Sequence, residues 1–315
     1  MKFRSELIPR PAANKLSHDN RFFSAGSCFA AHMAEKLEFY QFRITANPLG
    51  VMYNPVSLLS MLEHLRQPFV LREDLLVRED GVWHSLLHDS SFSSPSREEL
   101  LSRMERSHRQ GREALLRSDV WLITLGTSRV YVHRERQCPV ANCHKIPADR
   151  FERRLLSVDD VVEALKKIIS LAADIHPGIF IILSVSPVRH LRDGFHGNTL
   201  SKARLHLAIE KICDSENNAA YFPAWELLMD DLRDYRFYKE DLFHPSPAAV
   251  EYIWQKFAGA YMDGETLEIM KEVEAIRKGR AHRPLIKDHP AHEAFLRRLR
   301  QREERLRARF PFMRF

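Results

Sequence analysis

Cysteine is scarce in this chain: Cys28, Cys138, Cys143 and Cys213 are the only 4 among 315 residues. Their number and irregular spacing exclude a disulfide framework and fit free thiols in a reducing compartment. Long apolar runs are also missing. None approaches the roughly 18 residues that a membrane span requires, and residues 1–9 lack the apolar centre of a secretory signal. The expectation is a cytoplasmic protein without a membrane span. Internal repeats and low-complexity segments are absent as well, which excludes solenoid and collagen-like architectures. What remains is a chain with 44% hydrophobic residues, enough to bury one large core or two modest ones.

The net charge of +6 is concentrated at one end. From Lys271 to Phe315 there are 14 Lys and Arg against 6 Asp and Glu, so this tail carries +8 and the remainder −2. Such a tail offers contact with nucleic acid, an anionic membrane surface or an acidic partner. Against that, Glu293, Glu303 and Glu304 interrupt the arginines in a salt-bridged pattern, and no base-stacking motif accompanies them. Nucleic acid is therefore not expected as a partner. The stripe Phe295, Leu299, Leu306 and Phe310 favours a helix packed on the main domain or on a second copy in a homodimer.

Short β-rich runs alternate with helical patterns. Residues 21–25, 42–45, 120–125, 179–185 and 219–222 read as strands, and 31–39, 55–65, 97–117, 158–174, 201–215 and 248–262 read as helices, several opened by Ser or Asp caps. Five buried strands with intervening helices predict an α/β fold with a doubly wound, mainly parallel sheet, its ligand crevice at the carboxyl ends of the strands. Residues 69–95 and 133–154 read as excursions that cover this crevice. Residues 1–262 form the expected α/β domain and 263–315 a basic helical extension, with 263–290 as a connector.

Two segments carry the chemistry. Gly26-Ser27-Cys28 follows the first strand and leads straight into a helical pattern, so a thiol or hydroxyl there faces unpaired helix-start amides, which stabilise a thiolate or a developing oxyanion. Small residues in such turns are common, and the turn gains weight from a distant element. Asp241 and His244, three apart before Pro245-Ser246-Pro247, place an orienting carboxylate and a base on one tight turn.

The segments 3–9, 26–30, 47–55, 141–145 and 235–245 resemble the GSCFA-domain proteins, a family related to the SGNH/GDSL hydrolases. Residues Arg283-Pro284, His292, Phe295-Leu296 and Phe310-Pro311 extend the resemblance into the tail. The resemblance implies an SGNH-like three-layer sandwich and an acyl hydrolase or acyltransferase that needs no cofactor. Aligning the Gly-Asp-Ser block of SGNH enzymes on Gly26 puts Cys28 at the nucleophile, with Ser27 one residue away as the alternative, His244 as base and Asp241 as its orienter. By the same likeness Gly50 offers an oxyanion N–H. Ser128 stands where SGNH enzymes carry an oxyanion Asn, with Thr127 or Asn47 as substitutes and His144 as a crevice-lining residue. The substrate class implied is a small-molecule or glycan ester. The missing Asn keeps a second reading open, a catalytically inactive module that binds a glycan or acylated ligand. Metal binding through Cys138, Cys143 and His144 is disfavoured, because no second ligand pair matches them.

Overall fold

The computed structural model describes residues 4–282 and 290–315; Phe3 at the amino end and the Arg283-Pro284 motif lie outside them. Five strands, β1 (Arg21–Gly26), β2 (Arg43–Ala46), β5 (Val120–Leu125), β9 (Phe180–Val185) and β10 (Ala219–Tyr221), form one sheet in the order β10-β9-β5-β1-β2. Every pairing in it is parallel. The fold is α/β and doubly wound. Its strand order reverses between β1 and β5, the kind of switch point where open α/β sheets bind ligands.

Alternation along the strands makes two cores. Phe23, Ala25, Trp121, Ile123, Ile181 and Leu183 point to one face, where α2 (Pro55–Arg66), α4 (Val158–Ile175) and α5 (Gly194–Ser215) cover them. Phe22, Val120, Leu122 and Ile182 point to the other, under α1 (Cys28–Phe39) and α7 (Pro247–Tyr261). Both faces are buried because parallel crossovers lay helices on both sides. Side-chain caps start the helices: Ser27 for α1, Asn54 for α2, Ser157 for α4 and Ser246 for α7.

The excursions have structure of their own. Residues 69–95 contain the hairpin β3 (Leu76–Glu79) and β4 (Val82–Ser85), followed by α3 (Arg97–Leu116). The second is an antiparallel sheet of β6 (Arg129–His133), β7 (Cys138–Val140) and β8 (Phe151–Leu155) in the order β7-β6-β8. Helix α5 begins at Gly194, well ahead of the expected Ser201, and α6 (Ala224–Glu226) runs on as a π-helical turn to Leu232.

The expected connector at 263–290 is instead largely helical: Asp263 caps α8 (Gly264–Ala281). Helix α9 (Pro290–Arg309) packs along α8, burying Leu299, Leu306, Phe310 and Met313 against Ile269, Val273 and Ile276. Three of the four stripe residues, Leu299, Leu306 and Phe310, are thus buried within the chain. The tail's charges pair too: Arg280 is bidentate on Glu303, Arg302 on Glu272, and Arg309 binds Glu265. Arg314 N–H donates to Gln41, between α1 and β2, at 2.6 Å, and the Arg43 guanidinium lies 4.5 Å from the Phe312 ring centroid. Among the described residues no helix is long and apolar enough to cross a membrane.

Candidate active site

The turn after β1 is built on a glycine that nothing else could replace. Gly26 has φ +145°, and a Cβ there would sit 2.2 Å from the Thr124 carbonyl oxygen. Its N–H donates to Asn47 Oδ1 at 2.9 Å, its carbonyl accepts from Met52 N–H, and Ser27 N–H donates to Thr124 O. These bonds fix the start of α1 at the switch point. Ser27 is the N-cap, 1% exposed, its hydroxyl oxygen accepting from Phe29 N–H. Cys28 is the first helical residue and half-buried, at a position where helix geometry leaves the amide without an intrahelical partner. Its Sγ lies 3.7 Å from Tyr53 Oη.

The second element is a rigid turn. Lys239 N–H donates to the His244 carbonyl, Ser246 N–H to the Phe237 carbonyl, and Leu242 at its tip takes φ +62°. Asp241 Oδ1 accepts from the backbone N–H groups of Phe243 and His244 at 2.8 and 2.9 Å, and Oδ2 faces His244 Nδ1 at 2.7 Å. The His244 backbone N–H, then that of Phe243, then the imidazole hold the Asp241 carboxyl down at about 2. With Nδ1 turned to a carboxylate, Nε2 is the nitrogen left for a substrate or nucleophile. No hydrogen bond joins His244 to Cys28 among the described residues.

The other predicted residues divide. The Gly50 N–H is already donated to the Asn47 carbonyl at 2.8 Å, so the expected oxyanion donor is occupied in this conformation. The Asn47 amide oxygen is likewise spent on Gly26. Ser128 is wholly buried with its hydroxyl on Ser201 Oγ, turned inward rather than towards the crevice. Thr127 also bonds Ser201 Oγ, at 2.9 Å, yet lines the cavity beside Tyr53. His144 stacks on His84 and places Nε2 2.9 Å from the Ser85 carbonyl, so it braces the β4 loop instead of lining the crevice. Cys143 lines the cavity, with burial pushing its thiol up to about 11. Among the described residues no group of three or more His, Cys, Asp or Glu is placed to hold a metal ion.

Two residues not singled out from the sequence occupy the centre. Tyr53, from the loop before α2, touches Cys28 and meets the His190 ring edge-on at 5.1 Å between centroids. Burial and the neighbouring thiol raise its pKa. His190 follows β9, and its Nε2 would lie 3.1 Å from a Cβ on Gly126, at the end of β5. Burial, then Lys202 and His244, lower it to about 4, so the ring is neutral, and Nε2 is buried without a partner. The face of α5 holds these loops: Asn198 accepts from His190 N–H, Ser201 from Ser128 N–H, and the buried Lys202 Nζ donates to the Ser186 carbonyl. Their spacing on one helix face, polar where an apolar stripe would be ordinary, was the available sequence signal.

A family model described as the GSCFA family matches residues 21–257. The chain belongs to the GSCFA family. The C-terminal domain of GSCFA domain proteins matches residues 273–315 of this GSCFA protein. No curated protein matches it. Among solved structures, a carbohydrate esterase family 3 from Talaromyces cellulolyticus aligns at 6% identity and a TM-score of 0.28, over 49% of this chain and 60% of that one. The aligned chain thus spans about three fifths of that esterase's length.

Proposed function

We propose that this GSCFA protein is an SGNH-type esterase or acyltransferase that works through a covalent acyl-enzyme on Cys28, with an acylated carbohydrate as its substrate class. The observation that carries the reading is the Asp241–His244 pair. A carboxylate anchored by two backbone N–H groups and aimed at Nδ1 at 2.7 Å is the arrangement that fixes a general base.

In the proposed reaction His244 Nε2 takes the Cys28 proton as Sγ attacks the ester carbonyl. The oxyanion forms beside the Cys28 backbone N–H at the start of α1. Collapse breaks the ester C–O bond, and His244 protonates the departing alkoxide. Water or an acceptor alcohol then loses its proton to His244, attacks the thioester and releases the thiol. Before substrate enters, Sγ rests against Tyr53 Oη, and catalytic contacts of this kind tighten on binding. With the Ser128 hydroxyl buried, we infer that the neutral His190 ring over Gly126 supplies the side-chain oxyanion donor. The capping role of Ser27 supports Cys28 over Ser27 as the nucleophile.

The test is hydrolysis of short-chain acyl esters, thioesters and acetylated sugars. Cys28→Ala and His244→Ala are each expected to abolish turnover with the fold intact, and Ser27→Ala to act mainly through loss of the cap. Full activity in Cys28→Ala would remove the sulfur from the mechanism. The second reading, an inactive binding module, is favoured by the absence of a Cys28–His244 hydrogen bond among the described residues. Tight binding of an acetylated glycan, with no turnover and no Cys28-dependent labelling by an acyl probe, would establish it.

A further inference from the structure

Tyr53 and His190 also wall a cavity of about 260 Å³ whose far side carries Arg129, Arg153 and Arg192. Strand geometry puts two of the guanidiniums together. Arg129 and Tyr131 share one face of β6, and Arg153 on β8 pairs directly with Tyr131. Arg192 arrives from the loop after β9, and it and Arg153 flank the Tyr131 ring at 5.8 and 5.6 Å from its centroid.

One carboxylate faces the three. Asp193, its side chain 5% exposed, forms ion pairs with Arg129, Nε to Oδ2 2.8 Å, and with Arg153. Three guanidiniums against one carboxylate leave a surplus of two positive charges in a recess. Arg192 has no ion pair among the described residues. Holding like charges this close costs energy that an incoming anion would return, and the planar guanidinium fork matches carboxylate and phosphate oxygens.

We propose that this cavity is an anion subsite: the ester that reaches Cys28 past Tyr53 carries a carboxylate or phosphate group held by Arg192 and Arg153. The proposal rests on the esterase reading for the word ester, and on the arginines alone for the anion. Isothermal titration of the whole chain with D-glucuronate, D-glucose 6-phosphate and D-glucose at fixed ionic strength tests it. The expected result is binding of at least one anionic sugar where glucose gives none, with Arg192→Gln weakening it by about tenfold or more and Arg192→Lys by less. The sugar that binds more tightly distinguishes carboxylate from phosphate. Equal behaviour of all three sugars, or undiminished binding by a folded Arg192→Gln protein, overturns the subsite. Hydrolysis of 4-nitrophenyl acetate by wild type and Cys28→Ala, run in parallel, judges the esterase reading alone. Anion binding without Cys28-dependent turnover keeps the subsite and removes the ester.

Discussion

His190 shows how one side chain acquires a role from its surroundings. Its backbone is held by Asn198, its ring is pressed against Tyr53, and burial keeps it uncharged. A neutral imidazole donates one N–H and carries no charge to trap a carboxylate. If its Nε2 serves the oxyanion, His190→Ala lowers kcat by about 10²- to 10³-fold with KM little changed, the size expected for one positioned donor. A purely structural ring would instead lower the melting temperature and leave kcat of the folded fraction intact, so steady-state kinetics and a thermal melt together decide. Gly26 makes the complementary case. It contributes no functional group, yet only a residue without Cβ lets β1 pass against Thr124 and deliver Cys28 to the helix start.

At the scale of elements, the tail behaves as a helical hairpin and not as a free basic arm. Ile276 and Val273 of α8 are fully buried against α9, so the interface depends on apolar contact and its arginines are largely occupied by Glu265, Glu272 and Glu303. Ile276→Ala is expected to cost about 2–4 kcal/mol by leaving a cavity between the two helices. Urea denaturation checks this, and a change near zero would mean that α8 and α9 contribute little to the folded state.

The same elements show what was readable beforehand. Strands β1, β5 and β9 are short, mostly apolar runs bounded by turn residues, and composition with those boundaries places them within a residue or two. Helix α8 was missed because its charged positions mask a narrow stripe of Ile269, Val273 and Ile276. The β7-β6-β8 sheet was missed because Arg129, Arg153 and Arg154 stand where strand propensity looks for β-branched residues. Within the site, Gly26, Cys28, Asp241 and His244 stand in short local motifs. Tyr53 and His190 acquire meaning only when three strand ends converge, information held in topology and not in spacing.

For the molecule as a whole, buried histidines set the acid limit. Burial is the first cause in each case, lowering His64, His144 and His190 to about 4 and His88 to about 3. An unfolded histidine protonates near 6.5, so between that pH and about 4 the unfolded chain binds more protons than the folded one. The histidine contribution to stability is therefore complete above about pH 6.5 and is lost as the solution is acidified, by up to about 1.4 kcal/mol per pH unit for each histidine. Lys202, fully buried and pushed well down by desolvation, acts with the same sign at higher pH. Urea midpoints measured from pH 7.5 to 4.5 are expected to drop steeply. His88→Gln, which removes the most deeply buried ring, is expected to flatten that slope even though it lowers stability at neutral pH. A slope unchanged in that variant would mean that the acid sensitivity arises elsewhere, in carboxylates paired with the surface arginines.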